Sequence, residues 1–349
     1  MLIDLRLQHF RSYSRESFEF QPGVNIIVGP NASGKTNLLE AILVLATGGS
    51  YRARDTELIE FEQPWARLDA TLDTSAERTV RLQRAPLLVK SYEIAGKSYK
   101  RLTMAHTLPV VLFEPNHLQL LSGSPEQRRS YLDDLLEQTT PGFAALRRQY
   151  RRTLHQRNSL LKHEYANQDQ LFPWNVRLSQ LAGQIVRARF ELVATIDSLL
   201  GSLYKDLARS DKQVSITYQS RWPQDGYESK LLKKLEENSE LDKLHGFTSA
   251  GPHREDFVLT YGGHPAQETA SRGETRTGVL ALKIIELQII KEVREQTPLL
   301  LLDDVFSELD GSRRQSLTEY LAHYQTFITT TDADLIVQHF TETTHIIAL

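Results

Sequence analysis

The octapeptide Gly29-Pro30-Asn31-Ala32-Ser33-Gly34-Lys35-Thr36 constrains the fold of this chain more than any other segment. It fits the G-x-x-x-x-G-K-[ST] pattern of a phosphate-binding loop, and that pattern demands particular surroundings. A buried strand must lead in and a helix must lead out, so that the helix N-terminus meets the phosphates with unpaired N–H groups and a partial positive charge. Both flanks are present. Residues 24–28 form a short apolar run that reads as a buried strand, and Thr36-Asn37-Leu38-Leu39-Glu40-Ala41-Ile42-Leu43 reads as a helix. The glycines let the backbone wrap a polyphosphate. Lys35 is expected at the β- and γ-phosphates, and the Thr36 hydroxyl is expected to ligate Mg2+. An ordinary glycine-rich turn would require neither flank.

Composition narrows the class further. A chain of 349 residues with 40% hydrophobic and 24% charged content can bury a real core in one large domain or two. No run approaches the ~18 apolar residues of a membrane helix. The N-terminus, Met1-Leu2-Ile3-Asp4-Leu5-Arg6, alternates like a strand and lacks a signal-peptide pattern. There are no cysteines, which excludes disulfides, thiolate zinc sites and cysteine nucleophiles together. These features lead us to expect a cytoplasmic protein without a membrane partner.

Organisation along the chain gives an α/β fold class with three segments. Residues 1–118 are strand-rich around the P-loop helix and read as the N-terminal part of a nucleotide-binding head. Residues 119–245 carry apolar residues at helical spacing and read as an inserted helical arm. Residues 246–349 return to strands, with a long helix from Thr275 to Arg294, and form the C-terminal part of the head. No heptad pattern persists long enough for a coiled coil.

Leu299-Leu300-Leu301-Leu302-Asp303-Asp304 is an apolar strand ending in two acids. In a P-loop protein this reads as the second half of the nucleotide site. Asp303 is assigned to Mg2+, directly or through water, and Asp304 to polarising the attacking water. Alone, two acids after a strand read as a solvated turn; the P-loop upstream reverses that reading. The long separation between the two motifs exceeds what a small kinase or GTPase core needs, and suggests a head split by an insertion. Ser271-Arg272-Gly273-Glu274 precedes the long helix and can form a helix-start anion site, although alone it reads as an N-cap.

The order P-loop, insertion, Ser-x-Gly helix, strand with paired acids resembles the ABC-type ATPase heads of the SMC group. The chain is similar nearly end to end to the RecF family of bacterial recombination mediators. His9-Phe10-Arg11-Ser12-Tyr13, Thr47-Gly48-Gly49-Ser50-Tyr51-Arg52, Gly123 to Arg129, Gln156-Arg157-Asn158, Gly251-Pro252-His253-Arg254-Glu255-Asp256 and Asp303 to Asp310 all resemble family segments. The resemblance implies ATP sandwiched between two heads of an ATP-dependent homodimer. Ser271 and Gly273 of one copy would act on the site made by Lys35, Thr36 and Asp303 of the other, and Arg11 would approach the phosphates or the base. It also implies weak ATPase activity, a role in recombinational repair and replication restart, help in loading recombinase, and RecR and RecO as partners. Two positions depart from the family pattern. Glu274 stands where the signature has Gln, which would add negative charge near the γ-phosphate. Thr329-Thr330-Thr331-Asp332 stands where a switch histidine is usual.

Between residues 141 and 190 there are nine Lys/Arg against two Asp/Glu. Arg147, Arg148, Arg151 and Arg152 share one helical face that can neutralise DNA phosphates; the bland reading is a solvated face. Arg52 and Arg54 are rival contacts. No aromatic and basic interleaving suggests single-strand stacking, so duplex or a single-strand–duplex junction is the expected DNA partner. The alternatives are a P-loop phosphotransferase or a transporter-type ABC ATPase, neither with a DNA role.

Overall fold

The computed structural model describes residues 1–163, 167–321, 323–331 and 344–349. In chain order the elements begin with β1 (Leu2–Phe10), β2 (Tyr13–Glu19), β3 (Val24–Val28), α1 (Lys35–Thr47), β4 (Trp65–Leu72), β5 (Glu77–Ala85), β6 (Leu87–Ile94), β7 (Lys97–Tyr99) and β8 (Val110–Phe113). There follow α2 (Pro125–Thr139), α3 (Phe143–Leu161), α4 (Gln168–Ala208), β9 (Val214–Gln219), α5 (Tyr227–Glu237), α6 (Ser239–His245), β10 (Asp256–Tyr261), β11 (His264–Pro265), α7 (Ala266–Thr269) and α8 (Arg272–Arg294). The chain returns through β12 (Leu299–Asp303), α9 (Val305–Glu308), α10 (Gly311–Leu321), β13 (Thr326–Thr330) and β14 (Thr344–Ala348).

Residues 1–118 and 286–349 make one compact unit and residues 119–285 another. This division differs from the three expected segments. The strand β10, expected in the returning head, pairs antiparallel with β9 over Asp256↔Gln219 to Tyr261↔Val214 and so belongs to the inserted unit. Residues 272–285 of α8 belong there too.

The first unit holds two sheets around one helix. The parallel sheet has the order β14-β3-β13-β12-β8, and the antiparallel sheet the order β2-β1-β4-β5-β6-β7. Strands of a parallel sheet are covered on both faces, which is why β12 is Leu-Leu-Leu-Leu-Asp and wholly buried. β1 instead alternates, burying Leu5 and Leu7 and exposing Arg6. Between the sheets lies α1, with every residue from Leu38 to Ala46 buried. A helix apolar on all sides belongs inside a core. Its side chains share one cluster with Leu5, Leu68 and Val80 of the antiparallel sheet and Ile27, Leu301 and Phe327 of the parallel one. Burying each such large aliphatic side chain contributes roughly 1.5–3 kcal/mol. Two side chains fasten this arrangement. Arg78, buried on β5, donates to the carbonyls of Leu45 (2.6 Å) and Ala46 (3.3 Å) at the C-terminal end of α1. Gln325 exchanges two hydrogen bonds with the backbone of Leu2, 2.8 and 2.7 Å.

The second unit is built on the 41-residue α4. Its buried residues Leu178, Leu181, Ile185, Leu192, Ile196, Leu200 and Leu203 recur at helical spacing and face α3, α5 and β9. The polar stretch 221–245 carries two helices, α5 and α6, meeting at Asn238. Three strands escaped the sequence reading, β7, β9 and the two-residue β11. Val214-Ser215-Ile216-Thr217-Tyr218-Gln219 does alternate, burying Val214, Ile216 and Tyr218, and that signal was legible.

Candidate functional site

The loop from β3 to α1 is held in a wrapped shape by its glycines and one tyrosine. Gly34 sits at φ +107°, and a side chain there would meet the Tyr13 hydroxyl at 2.8 Å. A side chain on Gly29 would meet Ser33 Oγ at 2.6 Å and the Leu349 carbonyl at 2.8 Å. Tyr13, opening β2, donates its hydroxyl to the Gly34 carbonyl at 3.0 Å. Burial, then the nearby Glu16, push this phenol well above its ordinary value, so it stays a donor. Lys35 Nζ donates to the carbonyls of Gly29 (2.7 Å) and Pro30 (2.8 Å). No side chain caps α1 and its first turn carries no acid. The Ser33 hydroxyl is buried without a hydrogen-bond partner. A bare helix start, a lysine and an orphaned hydroxyl are the donor set that suits a phosphate.

At the C-terminal end of β12, Asp303 is buried among hydroxyls. Its Oδ1 accepts from Thr36 Oγ1 (3.0 Å) and Thr329 Oγ1 (2.8 Å), and its Oδ2 accepts from Tyr51 (2.9 Å). Burial, and next the Asp303 charge, raise the Tyr51 phenol far above its ordinary range. Among the described residues no cationic side chain forms an ion pair with Asp303. Thr36 and Asp303 thus offer adjacent hard oxygen donors, a set that fits Mg2+, which takes one or two protein oxygens and completes its octahedron with phosphate and water. No group of three or more His, Cys, Asp or Glu side chains fit to hold a metal occurs among the described residues.

Ser271 and Glu274 begin α8 with a reciprocal capping box. Glu274 N donates to Ser271 Oγ (3.2 Å), and Ser271 N donates to Glu274 Oε2 (2.8 Å). Lys212 Nζ donates to Glu274 Oε1 at 2.6 Å. The Lys212 bond first, and the Ser271 backbone next, bring the Glu274 carboxyl down to about 2. The negative charge expected from Glu in place of Gln is therefore met within the same unit by Lys212. Gly273, one residue into the helix, lies between these two partners in sequence.

A family model described as the RecF/RecN/SMC N terminal domain matches residues 1–347. A curated relative named DNA replication and repair protein RecF, from Heliobacterium modesticaldum, is 37% identical over 339 residues, 94% of this chain and 91% of its own. The chain belongs to the RecF family. A RecF from Acaryochloris marina is 36% identical, covering 95% of this chain and 92% of its own. The solved structure of the recombination mediator protein RecF-ATPrS in the RecFOR pathway superposes with a TM-score of 0.89 at 29% identity, over 99% of this chain and 96% of that one. An Smc head bound to a winged helix domain of ScpA superposes at 0.56 and 17% identity over 99% of this chain and 93% of that one, which speaks to fold alone. The fold is that of an ABC-type ATPase head.

Several arginines expected to face ligands in this RecF-family chain have protein partners instead. Arg11 holds Glu40 with two bonds, Nε to Oε2 (2.8 Å) and a terminal nitrogen to Oε1 (2.9 Å). Arg52 reaches Oε2 of the same carboxylate at 3.0 Å, and Ser50 reaches Oε1 at 2.5 Å. Burial opposes ionisation of Glu40, but Arg11, Arg52 and Ser50 outweigh it and hold its carboxyl below the ordinary value. Arg11 and Arg52 thus anchor α1 through a fully buried acid, because an unpaired charge there would be too costly. Arg54 stays exposed.

In the second unit Arg147 leaves the expected DNA-facing stripe. It is buried and paired with Asp133 (3.1 Å), Asp134 (2.6 Å) and Glu137 (2.9 Å). Arg148, Arg151 and Arg152 remain exposed on α3. The family segments of this unit converge on a buried polar network that sequence reasoning missed. Arg157 donates to Asn175 (2.7 Å), Asp242 (2.8 Å) and Thr248 (2.8 Å). Arg189 donates to Asp133 (2.9 Å), Tyr218 (3.1 Å) and the Pro252 carbonyl (2.8 Å). His253 Nε2 donates to the Thr248 carbonyl at 3.0 Å, so Nδ1 accepts from the Tyr150 hydroxyl at 2.6 Å, and burial lowers the imidazole to about 4. Of the predicted switch segment, Asp332 lies outside the described residues.

Proposed function

We propose that this chain is an ATP-dependent DNA-binding protein of recombinational repair and replication restart, in which ATP closes a homodimer on duplex or gapped DNA and slow hydrolysis reopens it. The observation that carries this reading is the 3.0 Å contact between Thr36 of the P-loop and Asp303, a buried carboxylate whose hydrogen-bond partners among the described residues are neutral hydroxyls. Such a pair attracts a divalent cation bound to a nucleotide. Mg2+ would supply charge neutralisation of the β- and γ-phosphates. Lys35 and the loop amides would hold those phosphates, Asn31 and Ser33 would line them, and Asp304 would orient the attacking water. Ser271, Gly273 and Glu274 of a second copy would complete the site. Exposed Arg148, Arg151 and Arg152, with Arg54, would meet DNA phosphates without reading bases. Relatives solved with ATP and with ATPrS are described as recombination mediators of the RecFOR pathway, which supports ATP as the nucleotide and RecR and RecO as partners.

The test is ATP turnover against protein concentration, with and without duplex DNA. A rate rising with the square of concentration at low protein, and rising further with DNA, supports composite sites. A rate linear in protein and indifferent to DNA overturns the reading. Lys35→Ala is expected to abolish ATP-dependent retention of DNA, and Ser271→Arg to abolish turnover while each protein still folds.

A further inference from the structure

Thr329 joins the two adjacent acids with one hydroxyl. On β13 its Oγ1 donates to Asp303 Oδ1 at 2.8 Å and accepts from the backbone N–H of Asp304 at 2.9 Å. A hydroxyl has one proton to give and lone pairs to receive, and that proton goes to Asp303 at 2.8 Å rather than to the Leu302 carbonyl at 3.5 Å, so both bonds are satisfied at once. The chain of donors runs from Asp304 N–H through Thr329 O–H to the Asp303 carboxylate. Asp304 itself sits in the left-handed region, φ 53° and ψ 16°, at the start of α9. A non-glycine residue there needs surroundings that hold it. Thr329 is buried, so water does not substitute for its oxygen.

We propose that Thr329 is a positioning residue that ties the metal-side acid, Asp303, to the backbone of the water-side acid, Asp304. A turn of the Asp303 carboxylate toward a cation is felt at the Asp304 backbone through this hydroxyl. Tyr51 fixes the other oxygen of Asp303 and has no bond to Asp304, which separates the two roles. A serine keeps both bonds of Thr329; a valine of the same shape keeps neither. This inference rests on the proposed ATP site.

The experiment measures two quantities in the full chain: the Mg2+ concentration for half-maximal binding of a fluorescent ATP analogue, and kcat at saturating Mg2+ and ATP. Thr329→Val is expected to raise the first by about 5-fold, the effect of one lost buried hydrogen bond. It is expected to lower kcat by about 10-fold, as loss of an outer-shell partner does. Thr329→Ser is expected to remain within about 2-fold of wild type on both. Tyr51→Phe is expected to raise the Mg2+ requirement with a smaller loss of kcat than Thr329→Val. Thermal melting checks that each variant is folded, and Thr329→Ala replaces the valine variant if that one does not fold. Unchanged Mg2+ dependence and unchanged kcat in a folded Thr329→Val protein overturn the inference, as does a serine variant as impaired as the valine one. A wild-type chain that binds no nucleotide at any Mg2+ concentration overturns the ATP reading and this inference together. Wild-type binding with unaltered variants overturns this inference alone.

Discussion

Asp303 in the first unit and Arg157 in the second are both buried charges, and they are kept in opposite ways. Asp303 is surrounded by the hydroxyls of Thr36, Thr329 and Tyr51, which solvate its charge without cancelling it. Arg157 is fully buried against Asp242, with Asn175, Thr248 and the Leu235 carbonyl accepting from its other N–H groups. A charge that is solvated and left whole remains free to attract a cation. A charge matched by its opposite inside the same unit serves shape alone. Glu40 shows that the distinction is not between units, since Arg11 and Arg52 cancel it only a helix turn from Thr36.

Breaking the matched pair should have the largest effect. Arg157→Ala leaves Asp242 buried and unpaired and is expected to destabilise the protein by about 3–5 kcal/mol, read by urea unfolding. Burial already presses the Arg157 guanidinium downward despite its acid partner. A joint Arg157→Met and Asp242→Leu replacement should therefore recover much of the loss. If the single and joint variants are equally destabilised, the pair is not the organising contact. Asp303→Asn should do the reverse. Its fold should melt within a few degrees of wild type, while turnover falls about 100-fold, or about 2.7 kcal/mol of transition-state stabilisation.

Such pairs were the part least legible in the sequence. The P-loop and the strand ending in Asp303 and Asp304 are local patterns whose chemistry is written in consecutive residues. The arginines of 141–190 look like an excess of positive charge because their acids lie elsewhere. Asp134 is 13 residues from Arg147, Asp133 is 56 from Arg189, and Asp242 is 85 from Arg157. A charge count in a window cannot see partners outside it. Tyr51 and Thr329 were equally hidden as neighbours of Asp303, being 252 and 26 residues away and brought to it only by the parallel sheet and the turn after α1. The capping box of Ser271 and Glu274, by contrast, is a four-residue pattern, and it was legible as an N-cap.

Two smaller effects sharpen the comparison through pH. His253 is held neutral by burial at about 4, against 6.5 when unfolded. Between those values the unfolded chain binds the extra proton, so stability is full above about pH 6.5 and falls as pH drops toward 4. The loss is expected to be about 3 kcal/mol in thermal or urea unfolding, and His253→Asn should flatten that slope. Glu274 works from the other side of the scale. Its carboxyl is depressed to about 2, so its contribution is present above the ordinary glutamate value and is lost as pH falls toward 2. Because this pair is partly exposed, Glu274→Gln should cost only about 0.5 kcal/mol, since an amide keeps the capping box and loses the Lys212 ion pair alone. A much larger loss would mean that Lys212 and Glu274 hold the start of α8 in place.

Arg78 gives the helix behind the P-loop a mechanical character. Tyr13 grips its entry at the Gly34 carbonyl, and Arg78 grips its exit at the carbonyls of Leu45 and Ala46. A rod clamped at both ends and packed on every side has no slack to absorb a push. A load set on the loop by a phosphate would travel along α1 and arrive at β5, at the heart of the antiparallel sheet, as displacement rather than as local fraying. Amide exchange along α1 should then slow or quicken together with that of β5, as in one strut and its footing.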